Sequence, residues 1–369
     1  MSNKGTLQVC LSGAWGGLEM VVFEHAMKIR EHGGTVTTIC PPGSPLQNKL
    51  VEKGLPTIGV EKKRRYWAPE VYKAVRQALK TGQYDTVLVQ QTFDLWQVVP
   101  ALRGMKHIRL ICVSHSFLGV SKRDYLHKLL YGRCNVVVAL NENHKRNLLL
   151  TLPIDESKVE ILLNSVDPER FKPANRSESI RKQYLKSPEQ MLIGVVARLE
   201  KGKGVMDAVK VADHLRQTDM PFQLVFFGNE PIGGEGHKQE LEDEVRRRNL
   251  RDCVQFAGHR TDIEQVIASL DVMLMPSPAE TFGRVIIEAM ASGTPVVASG
   301  GGGVSSIVRH HVDGILAGPH NIEEMADGIR FIYDFPEKKK KIAENGVTAA
   351  KEIFDYRLVD KKLYDILGL

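Results

Sequence analysis

Short apolar runs alternate with longer mixed segments along the chain, and this confines the fold to parallel sheets built from βαβ units. In the first half Leu7–Leu11, Thr35–Cys40, Thr86–Gln90, Arg109–Ser114, Val136–Leu140 and Val159–Leu163 read as strands. Helical patterns cover Leu18–His32, Ala68–Lys80 and Lys122–Leu130. The stretch NSVDPERFKP then breaks the rhythm with turn residues and two prolines, and a polar helix follows over Ser177–Leu185. Beyond it the alternation restarts, with strands Met191–Val196, Leu224–Gly228, Val254–Ala257, Val272–Met275 and Pro295–Ala298. The helices of this half are expected at Val205–Thr218, Gly236–Asn249, Ile263–Ala268 and Arg284–Ala291, with a charged helical stretch from Pro336 onward. A chain of 369 residues is long for one core. The expectation is an α/β protein of two Rossmann-like domains, 1–166 and 167–349, facing across a cleft at the C-terminal ends of their strands.

Composition excludes several other classes. The chain is 43% hydrophobic and 25% charged, ordinary for a soluble globular enzyme. No apolar run approaches the roughly 20 residues that span a bilayer. The start, MSNKGTLQVCLSG, reads as a first strand and not as a signal peptide. Cys10, Cys40, Cys112, Cys134 and Cys253 are scattered and odd in number, which argues against a disulfide framework or a zinc site and for a reducing cytosol. Up to residue 160 there are about 22 basic against about 13 acidic side chains, so most of the net charge of +6 and more sits in the first half. That imbalance points to an anionic partner, a phosphorylated substrate or a lipid surface, or to an uneven solvated surface. Lys62, Lys63, Arg64 and Arg65, followed by Tyr66 and Trp67, are candidates for gripping an acceptor or a membrane, or equally for a solvated loop with a buried aromatic anchor. Glu337–Lys341 reads as a solvated helix face in preference to a membrane-binding patch. Nothing resembles a nucleic-acid-binding module.

The strongest chemical signal is PSPAETFGRVIIEAMASGTPVV, Pro276 to Val297. A strand ends in a Pro/Ser turn, Glu280 and Gly283 follow, and a helix begins that carries Glu288 two turns in. Unpaired N–H groups at such a helix start suit a diphosphate, and Gly283 lets a ligand approach the backbone. Arg198 and Lys203 in VVARLEKGKG supply fixed cations after another strand.

Glu280 and Glu288 in ETFGRVIIEAMASGTPVV resemble the E-x7-E signature of the retaining glycosyltransferase family four (glycosyl transferases group 1), whose members have the GT-B fold. Arg198-Leu199 with Lys203-Gly204 resembles that family's R-L…K-G element. Phe256–His259 resembles its F-x-G-x turn, and Phe227–Glu230 the glycine turn before it. The likeness covers essentially the whole chain and is strongest from Val195 to Val308. By resemblance, Arg198 and Lys203 bind the donor diphosphate, with the glycine loop at Gly16 and Gly17 and the backbone at Phe282 and Gly283. Glu288 binds ribose, Glu280 lies by the transferred sugar, and His259 and Arg260 lie near the base. His115, closing the strand Arg109–Ser114, resembles the active-site histidine. Glu19 is expected to serve the helix it opens.

The resemblance implies a metal-independent, retaining hexosyl transfer with a nucleoside-diphosphate sugar as donor and no cofactor. UDP-sugar is favoured over GDP- or ADP-sugar. The acceptor class is a glycan or glycolipid, as in lipopolysaccharide or other envelope synthesis. The expected location is the cytoplasm, either free or peripheral at the inner face of the cell membrane. The last helix, about 350–369, is expected to pack back on the first domain. Two departures stand out: Asn164–Asp167 reads NSVD where glycine is usual before the valine, and Ser306 stands where the family has Glu. The rivals are another GT-B enzyme, an epimerase or phosphorylase, and a non-catalytic sugar-nucleotide-binding scaffold.

Overall fold

The computed structural model describes residues 5–62, 68–81, 84–231, 234 and 236–369. The chain divides into two compact units, residues 1–164 with 359–369 and residues 165–358. Each is a parallel α/β sandwich.

The first unit holds seven strands: β1 (Gly5–Val9), β2 (Thr35–Cys40), β3 (Thr57–Gly59), β4 (Tyr84–Val89), β5 (Arg109–Val113), β6 (Val136–Ala139) and β7 (Val159–Ile161). They lie in the order β3-β2-β1-β4-β5-β6-β7, all parallel. The second holds β8 (Met191–Val196), β9 (Phe222–Phe227), β10 (Val254–Gly258), β11 (Val272–Met275), β12 (Val296–Ser299) and β13 (Ile315–Ala317). Their order is β10-β9-β8-β11-β12-β13, again parallel throughout. Helices on both faces explain why the central strands read as unbroken apolar runs. β1 and β9 are buried at every residue. The core of the first unit forms around Leu7, Val9, Val87, Val89, Leu110 and Cys112, and that of the second around Ile193, Val195, Leu224, Phe226 and Leu274. All five cysteines are free and buried, where burial pushes the Cys10 and Cys134 thiols up to about 12.

In both sheets the order reverses beside the first strand, between β1 and β4 and between β8 and β11. In each unit, the loops at the C-terminal ends of the two strands beside this reversal leave toward opposite faces of their own sheet and flank its switch point.

Two strands, β3 and β13, and the helices Pro45–Glu52, Leu95–Ala101, Glu142–Thr151 and Ile322–Asp334 are absent from the sequence reading. The expected helix Lys122–Leu130 begins later, at Tyr125, because the Asp124 carboxylate accepts from the Leu126 and His127 N–H groups and caps it there. The charged C-terminal stretch is two helices, Pro336–Glu352 and Tyr356–Leu367. Among the described residues no helix is long and apolar enough to cross a membrane.

Candidate functional site

In the second unit, the loops after β8 and β11 flank the reversal point. Lys203, at the end of the short turn Lys201–Lys203, reaches across it and pairs with Glu280, Nζ to Oε2 2.8 Å. Both side chains are half-buried, 27% and 20% exposed, so the pair is neither sealed in the core nor loose on the surface. The backbone is built to hold it. Gly204 has φ +63° and lies so close to Pro276 that a Cβ would stand 2.1 Å from the Pro276 carbonyl oxygen. Ser277 Oγ donates to the Lys203 carbonyl at 3.4 Å. On the other side Glu280 forms a parallel bridge with Gly302, and Gly303 N–H donates to the Glu280 carbonyl at 2.8 Å. A Cβ on Gly301 would overlap the Pro278 carbonyl oxygen at 1.9 Å. Three loops are thereby locked around one carboxylate and one ammonium.

Gly283 follows with φ +80° and starts the helix Arg284–Ala291 with no side-chain cap. No side chain therefore occupies this helix start, where the Ile286 N–H turns back to the Gly283 carbonyl at 2.9 Å. Phe282 is turned inward, its ring edge-on to Phe354 at 6.1 Å between centroids, so only its backbone borders the loop. Glu288 stands four residues, one turn, into this helix and not two turns in, and is half-buried.

Arg198 is half exposed and pairs with Glu200 at 2.9 Å. The strand ends around it are drawn together by Gly228, whose φ is +151° and whose Cβ would lie 1.9 Å from the Ala197 carbonyl oxygen. After β10, His259 is exposed. Arg260 is committed to the protein: its guanidinium grips Asp262 in two bonds of 2.8 and 2.6 Å and also meets Gln183 and Tyr184. Its side chain is thus not free to read a base.

In the first unit, the loop after β1 carries Gly13, Gly16 and Gly17. None has a positive φ, and a Cβ would meet nothing within 4 Å at Gly13 and Gly17 and only a Glu19 carboxylate oxygen, at 3.6 Å, at Gly16. Neither conformation nor internal packing requires glycine there. Glu19 is buried and accepts from Ser12 Oγ, closing the loop onto the helix Gly17–Glu31. Lys62 is no free surface cation: its Nζ pairs at 2.9 Å with the buried Asp94, which also accepts from Leu11 N–H. Burial pushes the Asp94 carboxyl up while Lys62 and that N–H pull the other way. Lys63, Arg64 and Arg65, with Tyr66 and Trp67, lie outside the described residues.

His115 sits just past β5, and its Nε2 is 3.2 Å from Gln90 Oε1. The Gln90 amide donates to Gln8 Oε1 at 3.1 Å and meets His25 Nδ1 at 3.1 Å, while Gln8 donates to the Val22 carbonyl and Thr38 Oγ1. An amide oxygen only accepts, so His115 Nε2 carries the proton and Nδ1 is left as an acceptor. Burial, with His144 beside it, lowers the imidazole to about 3. The sequence reading missed Gln90 and Asp94. Their signal is the polar run QQTFD closing an otherwise apolar strand at the sheet's reversal point.

Known proteins resemble this chain in sequence and in fold. Residues 176–348 match the family model for glycosyl transferases group 1, and residues 15–170 match that for glycosyltransferase family 4. EpsF of Bacillus subtilis, named as a glycosyltransferase, is 30% identical over 235 residues, 61% of this chain and 60% of that one. This chain thus spans about three fifths of that relative's length. An uncharacterized glycosyltransferase of Haemophilus influenzae is 26% identical over 88% of this chain and 89% of its own. The structure of Anabaena HepE, in complex with UDP and glucose, superposes with a TM-score of 0.85 at 24% identity, covering 98% of this chain and 99% of that one. With a family match in each half and this fold over nearly its full length, the chain belongs to the group 1 glycosyltransferases and has the GT-B fold.

Proposed function

We propose that this glycosyltransferase moves a hexose or related sugar from a nucleoside-diphosphate sugar, UDP-sugar being favoured, to an acceptor hydroxyl, with retention and without an essential metal. The observation that carries the reading is the Lys203–Glu280 pair across the reversal point of the second sheet. An ammonium has three N–H donors, and Glu280 takes one. Two remain for diphosphate oxygens. Arg198 adds a planar donor group, and the uncapped helix start adds backbone N–H groups. These fixed positive groups act most strongly as charge grows on the leaving diphosphate, which is where a metal would otherwise serve.

In this reading the bond from the anomeric carbon to the diphosphate breaks and a bond to the acceptor oxygen forms on the same face. The acceptor's proton passes to the departing phosphate. Glu280 steadies the transferred sugar and Glu288 takes the ribose hydroxyls. Gly16 and Gly17, which the fold itself does not need, allow close approach of substrate to backbone. Neutral His115 offers Nδ1 to a sugar hydroxyl and is not the base. UDP in the HepE complex supports the choice of donor by likeness of fold only. The acceptor is a glycan or glycolipid of envelope synthesis, lipopolysaccharide among them, reached from the cytoplasmic face of the membrane.

The test is a thermal-shift series with UDP-, GDP- and ADP-sugars on the wild type, Lys203→Ala and Glu280→Gln. A ligand at about 100 times its Kd adds roughly 2.7 kcal/mol of stability. A UDP-sugar should raise the wild-type Tm, and Lys203→Ala should lose most of the rise. Transfer should fall about 100-fold or more in both variants. Equal shifts in wild type and Lys203→Ala would sink the site.

A further inference from the structure

The helix Tyr125–Arg133 carries both buried and bare apolar side chains. Leu130 and Tyr131 are buried against the first unit. Tyr125, Leu126 and Leu129 stay outside and are 72, 55 and 54% exposed. A helix with apolar residues all round is normally covered all round. Two more apolar side chains extend the bare face: Val120 in the preceding loop and Leu150 at the end of the helix Glu142–Thr151 are 68 and 76% exposed.

The face is held together rigidly. Lys122 N–H donates to the Thr151 carbonyl at 2.8 Å, and the Arg123 guanidinium donates to the carbonyls of Leu149 and Leu150. Asn147 clamps Leu118 from both sides, accepting from its N–H at 2.8 Å and donating to its carbonyl at 3.1 Å. Val120 and Leu150 are therefore displayed by a fixed scaffold and not by a loose loop.

Charge tells what covers it. Across residues 116–151, which carry the whole face, six cations, Lys122, Arg123, Lys128, Arg133, Lys145 and Arg146, stand against two carboxylates, Asp124 and Glu142, and Asp124 is spent on capping the helix and on His127. Exposed Arg123, Lys128 and Arg146 pair with no carboxylate among the described residues. Exposed apolar side chains interleaved with cations such as Lys128 and Arg146 that meet no carboxylate fit the boundary of an anionic bilayer, with the apolar groups in the acyl edge and the cations on the headgroups. A protein partner of ordinary composition would leave those cations unmatched.

We propose that this face, Val120, Tyr125, Leu126, Leu129 and Leu150 with Lys128 and Arg146, docks the protein on an anionic lipid surface. The loop that begins at His115 runs on to Val120 and Asp124, so docking sets the membrane plane beside His115. The proposal takes its purpose from the glycolipid acceptor named above, but binding is read without donor or acceptor, so the two stand or fall separately.

The test is co-sedimentation of the full chain with phosphatidylcholine vesicles, with and without phosphatidylglycerol, at low and high salt. The wild type should bind only the anionic vesicles and lose binding as salt rises. Leu126→Ser with Leu129→Ser, and separately Lys128→Glu with Arg146→Glu, should weaken partition about tenfold or more. Unchanged Tm and an unchanged UDP-sugar shift in these variants show that the fold and the donor site are intact. Three results overturn the proposal. The wild type binds neither vesicle; or neutralising Lys63, Arg64 and Arg65 abolishes binding while the face variants keep it; or the wild type is a dimer in solution that the leucine variant dissociates.

Discussion

His115 shows how much of a residue's role is set behind it. Its ring is oriented by Gln90, whose own amide is fixed by Gln8 and His25, so the proton position on the imidazole is decided three side chains deep. The neighbouring His144 is pinned likewise: Nδ1 accepts from Leu140 N–H at 3.2 Å, so Nε2 donates to the Ser116 carbonyl at 3.1 Å. Burial lowers it to about 4. Both rings are neutral in the folded state, whereas unfolded histidines protonate near 6.5. The unfolded chain therefore binds more protons below about pH 6.5, and the fold loses stability as pH falls from there toward 4, by roughly 1 kcal/mol per pH unit for each histidine. Nitrogen-resolved NMR should find His115 neutral with Nε2 protonated from pH 8 down to 5, and the transfer rate should show no step near 6.5 from this residue. A His115 titration near 6.5 would refute the assignment. Replacing Gln90 with Glu puts a carboxylate against Nε2, which should raise the imidazole and bring such a step into the measurable range. The position of His115 at a strand end was legible in the sequence. Its charge state was not, because burial and the partner at Gln90 come from a strand that is distant in sequence.

At the scale of elements, two kinds of glycine serve different ends. Gly228, Gly301 and Gly302 let loop backbones pass within contact of one another, and a Cβ at any of them would strike a carbonyl oxygen. Gly13 and Gly17 touch nothing. The two groups should part on substitution. Gly228→Ala should cost roughly 1–3 kcal/mol and abolish the UDP-sugar shift, since relief of the clash moves Ala197 and with it Arg198. Gly17→Ala should change Tm little and yet reduce transfer, if the loop meets substrate as proposed. Thermal melts beside turnover assays separate the outcomes, and a strongly destabilised Gly17→Ala would show an internal role. Sequence alone could not sort these glycines, because a turn written with Gly looks the same whether the chain or a ligand fills the space. The same limit explains the elements it missed. β3 and β13 are three-residue edge strands, too short for a run to stand out, and both are fixed by pairing with β2 and β12. The long central strands were legible because burial on both faces demands unbroken apolar sequence.

Over the whole molecule the chain's two ends meet in one unit. Residues 359–369 belong with the first unit although they follow the second in sequence. Lys28 pairs with Asp360 at 2.5 Å, Tyr364 stacks on His32 at 3.8 Å, and Lys362 reaches Glu160 at 2.7 Å. Leu363, Ile366 and Leu367 are buried. An amphipathic pattern names the face of a helix that will be covered but not the surface that covers it, so the sequence pointed to this return only through family likeness. The three apolar side chains alone are worth roughly 1.5–3 kcal/mol each, on the order of the 5–15 kcal/mol that holds a whole domain. A chain ended at Leu358 should therefore lose its first unit as a cooperative body, while the second, whose core contains none of these residues, keeps its own melting transition. Calorimetry should resolve one surviving transition, and a UDP-sugar should still raise it, because Arg198, Lys203, Glu280 and the uncapped helix all belong to the second unit. Transfer should be absent, since His115 and the glycine loop fold with the first. A truncated chain that melts in one step at the full-length temperature would show that the terminal helix adds nothing to the first unit.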